Sequence, residues 1–527
     1  MKKIFKNLNL TFPFHPFFLA IFPVLFLYSH NIKELFINST FLPLAVALAL
    51  TSFLTIVLKI FMKDFKKVAA FVSLLLVLFF SYGHILTLVK NFELNLLGRS
   101  IDPNILVFYS WIVLFAVGGY LVARSQKNLT LVTIFLNVVS IALVSISLVN
   151  IVVFSLKEGQ LPFSPSITAQ EPKDSTSSPI QKRDRPDIYY LILDRYAAAS
   201  VLKHDFDFDN SAFINFLEEN GFYVAGEARA NYPKTFLSLA SSLNMRYLGD
   251  LSQKYPDSSD WAVVYPKIHN NKVINFLRSQ GYEIIHFGDW WEPTRINKLA
   301  DRNFNYYGTG ITDEFANKLL ETTFVYPLIR TENSWYDRVR NGHNYQFKEL
   351  GKLASQPGPK FVFAHILLPH DPYVFKEDCT PNNEEITLGS EDEKKAYLAQ
   401  LSCTNQKVES LVKTLLETSA QKPIIILQSD EGPFSEEFKG EVGGGVDWNK
   451  LSLDSLKAHL KILNAYLLPG ESKKLLYPTI TPVNSFRLIF SSYFEADFEP
   501  LPDKSYIFPD IDRPYTFIDV TDKLKER

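Results

Sequence analysis

Five apolar runs, at roughly 10–29, 41–61, 68–89, 104–123 and 129–155, crowd the first 156 residues of the chain. Each is close to or above the roughly 20 residues that a helix needs to cross the hydrocarbon core of a bilayer. The third, VAAFVSLLLVLFFSYGHILTLV, holds no Asp, Glu, Lys or Arg. The pattern predicts five membrane-spanning helices. A cleaved signal peptide explains the first run poorly, because no small-residue cleavage site follows it and further runs come after. That run is the least regular, being broken by Pro13, Pro16 and Pro23.

The short loops set the expected orientation. Lys2, Lys3 and Lys6 precede the first run, Lys63, Lys66 and Lys67 separate the second from the third, and Arg124 and Lys127 separate the fourth from the fifth. The intervening loops hold Lys33 on one side and Lys90 and Arg99 on the other. Basic residues favour the cytoplasmic side, so the N-terminus is expected in the cytoplasm. An odd number of spans then puts everything after residue 156 outside. Cys379 and Cys403, the only cysteines, both fall in that external part, where a disulfide can persist. They are expected to be bonded, with two free thiols as the alternative. A net charge of −2 over 527 residues suggests neither nucleic acid nor a polybasic membrane switch.

Residues 157–186 are rich in Pro, Ser and charge and read as a linker. From Asp187 onward, short β runs alternate with amphipathic helices, the signature of an α/β sheet. The strand candidates are 187–194, 282–288, 360–366, 423–430 and 462–469. Helix candidates are 211–221, with Asn210 or Ser211 as N-cap and Gly221 as stop, then 273–281 and about 391–419.

Unusual polar residues sit at the ends of these strands. Asp194 closes the first, His286 lies near the end of the second, and His365 and His370 end or follow the third. Asp430 and Glu431, in ILQSDEGP, close the fourth. Open α/β sheets bind ligands outside the carboxyl ends of their strands, so four segments deliver carboxylates or imidazoles to one edge. Adjacent carboxylates repel unless a cation or a proton separates them. Asp430 and Glu431 are therefore either a polar turn or part of a cation site. Thr235, in ANYPKTFLSLASSLN, follows Pro233 and opens a helical run, where free backbone N–H groups favour a phosphate. The alternative is an ordinary N-cap threonine.

Other stretches take plainer readings. HDFDFDN (204–210) lacks the glycine and the final glutamate of a calcium loop and reads as a solvated turn that caps a helix. GEVGGGVDW (440–448) is either a mobile rim over the site or a plain loop. His365 and His459 are either secondary ligands or packing residues. Trp290 and Trp291 either stack on a headgroup or fill the core.

Taken together, LILDRY, NYPKTFLSLASSLN, LLPHDPY, SDEGP and YEIIHFGDWWEPTR resemble motifs of the alkaline-phosphatase superfamily. Within it they are most similar to the membrane-anchored, sulfatase-like branch of lipoteichoic acid synthases and lipid A phosphoethanolamine transferases, over about 187–500. The resemblance implies a helical membrane domain over 1–156 and an external α/β domain over 187–527 with a mixed, mostly parallel sheet. It implies a divalent metal held by Asp194, Thr235, Asp430 and Glu431. SDEGP stands where the family usually has Asp-His-Gly, and a carboxylate in place of an imidazole favours Mn²⁺ or Mg²⁺, with Zn²⁺ possible.

Further implications concern the reaction. Thr235 is the expected nucleophile, passing through a phospho-threonine, His370 is the second expected catalytic residue and binds phosphate oxygens, and a histidine is expected to protonate the leaving group. His286, Trp291 and Arg295 are the expected substrate-binding residues. The expected donor is a membrane phospholipid and the acceptor an envelope glycan or lipid, at a bacterial inner membrane with the catalytic domain periplasmic. The alternatives are release of product to water, or a degenerate envelope-binding protein in which Glu431 marks lost chemistry. A formylglycine sulfatase is not expected, because the nucleophile position is Thr235 and FLSL follows it.

Overall fold

The computed structural model describes residues 9–90, 95–96, 99–100, 102–158, 185–307, 314–329, 335–384, 386–434, 436–438 and 446–525. Nearly all of the linker 157–186 lies outside the described residues, as do Lys2, Lys3, Lys6 and residues 440–445 of the glycine-rich stretch. The chain divides into two compact units. One comprises Met1–Pro165 and Gly308–Ser334, the other Ser166–Tyr307 and Trp335–Arg527.

The first unit is built on helices α1 (His15–His30), α2 (Phe41–Phe61), α3 (Phe65–Lys90), α4 (Pro103–Arg124) and α5 (Thr130–Lys157). The last four are long and apolar enough to cross a membrane, whereas α1 has 16 residues. Of the five spans expected, four are thus long apolar helices, and the first, the least regular run, is a shorter one. Proline is the reason. Pro16 sits in the first turn of α1 and Pro13 lies before it, so the helix begins well inside the apolar run. Sixteen residues rise about 24 Å, short of the roughly 30 Å hydrocarbon core. The broken segment before α1 finds its partners in α5: Asn137 Nδ2 donates to the carbonyls of Leu10 and Phe12 at 2.8 Å, and its Oδ1 accepts from the His15 N–H at 2.9 Å. Thr133, Asn137, Ser140, Val144, Ser147, Ile151 and Ser155 recur every three or four residues as the buried face of α5. Small and polar residues on one such face let helix backbones approach closely. Phe53, Ile56, Leu131 and Phe135 point outward.

The second unit carries a seven-stranded sheet of β1 (Ile188–Leu193), β2 (Tyr223–Val224), β3 (Glu283–Phe287), β4 (Arg302–Phe304), β5 (Lys360–Ile366), β6 (Ile424–Gln428) and β7 (Asn464–Leu467). Their order is β2-β7-β6-β1-β5-β3-β4. Strands β6, β1, β5, β3 and β4 run parallel, and β7 is antiparallel to both of its neighbours. Strands β1, β5 and β6 are buried along their whole length, as expected where both faces of a parallel sheet are covered. The register pairs Ile192 with His365 on one side and with Gln428 on the other, so the carboxyl ends of β1, β5 and β6 finish level.

Three helices matter for the site: α6 (Thr235–Asn244), α7 (Trp335–Leu353) and α8 (Glu391–Thr418). Lys234 is the N-cap of α6, so Thr235 is the first helical residue and the N-cap reading of it fails. Cys379 and Cys403 form a disulfide that ties α8 to the segment before it, with Cα atoms 4.9 Å apart. In HDFDFDN, Asp209 Oδ1 accepts the Ser211 N–H at 3.0 Å as the helix Ser211–Glu219 begins, which is the capping turn expected.

Candidate active site

Strand pairing assembles the site. Asp194 is the first residue beyond β1, and its N–H donates to the Ile366 carbonyl at 3.0 Å, extending the ladder by one step. Beyond β6, Ser429 Oγ accepts from the Tyr196 N–H at 2.9 Å and donates to the Glu431 carbonyl at 2.7 Å. The two strand exits are thereby locked together. The result is a buried group of Asp194, His365 and Asp430, whose potential ligand atoms all lie within 4.8 Å of one another. His365 Nε2 is 3.1 Å from Asp194 Oδ2, and Nδ1 is 2.8 Å from Thr294 Oγ1, which fixes the ring.

The electrostatics of this group are those of an incomplete set. Among the described residues no hydrogen-bond partner reaches Asp194 Oδ1, either oxygen of Asp430, or Glu431 Oε2, all of them buried. Burial of an unpaired carboxylate is costly, so such a group takes up a proton or a cation. Burial pushes Asp194 up to about 6, with His370 and Arg195 opposing and Glu431 adding to the rise. Burial, then Asp194 and Glu431, hold Asp430 well above the carboxylate range, and the nearby Thr235 hydroxyl pulls the other way. Burial lowers His365, which favours the neutral imidazole that can ligate a metal. Unsatisfied carboxylate oxygens around a neutral imidazole fit a divalent cation.

Thr235 is half-buried at the amino end of α6. Its hydroxyl is near enough to lower the pKa of Asp430, although no well-formed hydrogen bond reaches either oxygen of that carboxylate. Glu431 faces a different pair of neighbours. Its Oε1 is 3.6 Å from Arg195 Nε and its Oε2 is 3.9 Å from His459 Nε2, and it is not one of the three grouped residues. Arg195 has a left-handed backbone, with φ of 61°. Its guanidinium lies 4.3 Å from the Phe434 ring centre and donates to Asp371 Oδ1 at 2.7 Å. His370 Nδ1 lies 3.3 Å from the same Asp371 oxygen. Burial alone would raise Asp371, but His370 and Arg195 outweigh it and hold the carboxyl below its ordinary range.

Of the remaining expected residues, Trp291 touches His365 directly, in an edge-to-face contact at 5.6 Å between ring centres. Arg295 Nε donates to Glu292 at 2.7 Å. His286 is buried behind the site, stacked on Phe363 at 5.3 Å, and burial drops its pKa to about 3. Its connection to the cluster runs through Thr294, whose carbonyl lies 2.6 Å from His286 Nε2. Trp290 packs against Trp335 and His370. His459 spans the segments on either side of the site, with Nε2 3.0 Å from the Pro233 carbonyl and Nδ1 3.3 Å from that of Pro433.

Three residues carry more of the site than the sequence suggested. His365, read as a ligand or a packing residue, is one of the three grouped side chains. Thr294 and Arg195 were not singled out. Arg195 stands directly after Asp194 in LILDRY, which is the signal that could have drawn attention to it. Thr294 carries no such signal, because its part depends on the turn that brings it back over β3. That turn needs Gly288, where a Cβ would lie 1.9 Å from the Arg295 carbonyl oxygen.

The sulfatase family model matches residues 211–474, half of the chain, a span that takes in Thr235, His365 and Asp430 and begins after Asp194. No curated protein matches the sequence. Among solved structures, the chain is similar to the C-terminal periplasmic domain of EptC from Escherichia coli in complex with zinc. Identity is 11% and the TM-score 0.42, over 63% of this chain and 92% of that one. It is also similar to the C-terminal periplasmic domain of the phosphoethanolamine transferase EptC from Campylobacter jejuni, at 13% identity and a TM-score of 0.40 over 60% and 92% of the two chains. A third is the soluble domain of lipooligosaccharide phosphoethanolamine transferase A from Neisseria meningitidis, at 10% identity and a TM-score of 0.39 over 58% and 86%.

Proposed function

The chain belongs to the sulfatase family, and from that premise we propose that it is a membrane-anchored, metal-dependent phosphotransferase. It moves a phospho-alcohol headgroup from a membrane phospholipid to an envelope glycan or lipid. The observation that carries this reading is the half-buried Thr235 at the amino end of a ten-residue helix, beside a buried group of unsatisfied carboxylates.

Asp194, His365 and Asp430 would hold the divalent cation, with Thr235 Oγ1 and Glu431 as the further ligands that the sequence suggests. The carboxylates favour Mn²⁺ or Mg²⁺, while the imidazole leaves Zn²⁺ compatible. When bound, the ion would lower the pKa of the Thr235 hydroxyl and neutralise charge on the phosphoryl oxygens. With its proton already released to solvent, Thr235 Oγ1 forms a bond to phosphorus as the bond to the lipid alcohol breaks, and His370 gives that alcohol its proton. In the second half, the acceptor hydroxyl attacks the same phosphorus, returns a proton to His370 and frees Thr235. The amino end of α6 supplies backbone N–H groups for the phosphoryl oxygens. Trp291 and Arg295 bind the substrate, and His286 supports them through Thr294.

Attachment to apolar helices supports a lipid donor, since an enzyme acting only on soluble phosphoesters gains nothing from a membrane domain. The basic loops support a cytoplasmic N-terminus and a periplasmic catalytic domain at a bacterial inner membrane. One observation favours a second reading. Glu431 lies between Arg195 and His459, which suits an internal counter-ion in a protein that binds an envelope ligand without turning it over. The full-length protein, given bilayer phospholipid and a divalent metal, should release diacylglycerol. Chelation or Thr235→Ala should abolish that release. Release that survives Thr235→Ala would overturn the phospho-threonine route, and a native protein that binds no metal would favour the second reading.

A further inference from the structure

Helix Glu314–Glu321 and the turn that follows it, to Ile329, come in sequence between β4 and α7 of the second unit, yet they belong with the apolar helices of the first. The helix is amphipathic. Phe315, 3% exposed, packs with Val24, Leu25 and Tyr28 of α1 and with Val144 and Ile151 of α5, and Leu319 joins them. On its outer side Lys318 pairs with Glu321 at 3.3 Å.

The turn engages α3 through backbone groups. The Gly83 N–H donates to the Thr322 carbonyl at 3.0 Å, and the Phe324 N–H donates to the Phe79 carbonyl at 2.7 Å. Residues 79 and 83 are four apart, so these are the two groups that bond each other in a regular α-helix. Here each takes a partner from the turn. Only glycine permits the approach: a Cβ at position 83 would lie 2.1 Å from the Glu321 carbonyl oxygen and 2.7 Å from Thr322 Cα. Phe324 then stacks on Phe108 of α4 at 5.0 Å with the rings 6° from parallel, and meets the edge of Tyr82 at 5.4 Å.

All of these contacts fall in one half of the bundle. Tyr28, Leu86, Val107 and Ile151 lie close to the last residues of α1 and α3, the first of α4 and the last of α5. This is the half that the basic loops assign to the outside. Gly83 precedes Lys90, the end of α3, by seven residues, so the seat of the turn is about 10 Å below that end. Non-helical backbone at such a depth is tolerated only where protein satisfies its polar groups, and the bonds to residues 79 and 83 satisfy two of them.

We propose that Glu314–Ile329 is a second membrane attachment of the external domain, with an amphipathic helix at the outer interface and a turn inserted into the outer half of the bilayer at Gly83. The helix has the two faces of an interfacial segment, and Leu328, 52% exposed, is an apolar side chain suited to lipid. The inference rests on the helices crossing the membrane and not on the reaction.

Both native cysteines are consumed in the disulfide, so single-cysteine labelling reads one position at a time. Intact vesicles displaying the external side would be labelled with a membrane-impermeant maleimide. Phe324→Cys should react at least about tenfold more slowly than Lys395→Cys, whose side chain is 76% exposed. Adding Gly83→Ala should bring the Phe324→Cys rate close to that of Lys395→Cys. Gly118→Ala, whose Cβ would meet only the movable tip of Leu74, should leave it slow. Independently of any glycine variant, Phe108→Cys and Phe324→Cys together should be joined by a short bifunctional thiol reagent. Rapid labelling of Phe324→Cys in the otherwise native chain, failure of that cross-link, or undiminished protection in Gly83→Ala would each overturn the proposal.

Discussion

His365 Nε2 lies 3.1 Å from Asp194 Oδ2, across two neighbouring parallel strands and 171 residues of sequence. Both side chains are buried, and the second Asp194 oxygen has no partner among the described residues. A neutral imidazole and a carboxylate at this spacing, with Asp430 completing the group, have the character of a cation site. His365→Ala should therefore weaken divalent-metal binding strongly. Thr294→Val, which removes the hydroxyl at Nδ1, should weaken it by about tenfold, the scale on which outer-shell partners of a metal-binding histidine act. Calorimetric titration with Mn²⁺ and Zn²⁺ checks both. Native affinity in His365→Ala would return that residue to the packing role.

The raised pKa of Asp194 gives a pH dependence with a defined sign. Burial lifts this carboxyl above its ordinary value to about 6, so the metal-free fold holds a proton that the unfolded chain releases. That proton stabilises the metal-free fold at low pH, and the contribution is lost as pH rises through about 6. A divalent ion takes over from the proton, so metal binding should strengthen as pH rises through the same range and should release protons. Thermal unfolding with metal and with chelator, from about pH 5 to about pH 7.5, should show a widening gap between the two. A gap that does not change with pH would contradict this.

Gly288 touches neither the expected metal nor the substrate, yet Gly288→Ala should impair the site. The added methyl would meet the Arg295 carbonyl oxygen at 1.9 Å and that of Thr294 at 2.6 Å, forcing back the turn that holds His365. A loss of about 1–3 kcal/mol in stability is expected, as for other overpacked positions, together with weaker metal binding. Denaturant unfolding and metal titration of the variant measure the two effects separately.

Glu431 decides between two arrangements. As a ligand, it would make Glu431→Gln weaken metal binding and turnover together, and Glu431→His would retain a zinc-supported activity. As a counter-ion to Arg195, it would leave metal content unchanged in Glu431→Gln. We expect the first outcome, because Glu431 Oε2 is buried without a hydrogen-bond partner among the described residues.

The Cys379–Cys403 bond closes a loop of 24 residues in sequence. Replacing both cysteines with alanine should cost about 3 kcal/mol by the loop-entropy estimate, read as a lower midpoint in urea.

The strands and their polar ends were legible because β1, β5 and β6 are continuous apolar runs that stop at Asp194, His365–Ile366 and Asp430. The part played by His365 was not. It follows from pairing Ile192 with His365, and no local pattern states which strands will be neighbours. Thr235 was found as the start of a helix, but its standing as first helical residue or cap turns on one position of boundary. The length of α1 was overestimated because an apolar run does not reveal where Pro13 and Pro16 let the helix begin. Residues 314–329 fall in the stretch that the sequence assigns to the external domain. Their place with the apolar helices rests on backbone contacts at Gly83, which hydropathy does not register.

The most direct test of the phosphotransfer account is the mass of the peptide bearing Thr235 after the full-length, metal-loaded protein has been incubated with bilayer phospholipids and quenched in acid. The account predicts a covalent phospho-alcohol adduct on Thr235 that identifies the headgroup, disappears on chelation and is discharged by an acceptor hydroxyl. An unmodified Thr235 in protein that is turning over lipid would contradict it.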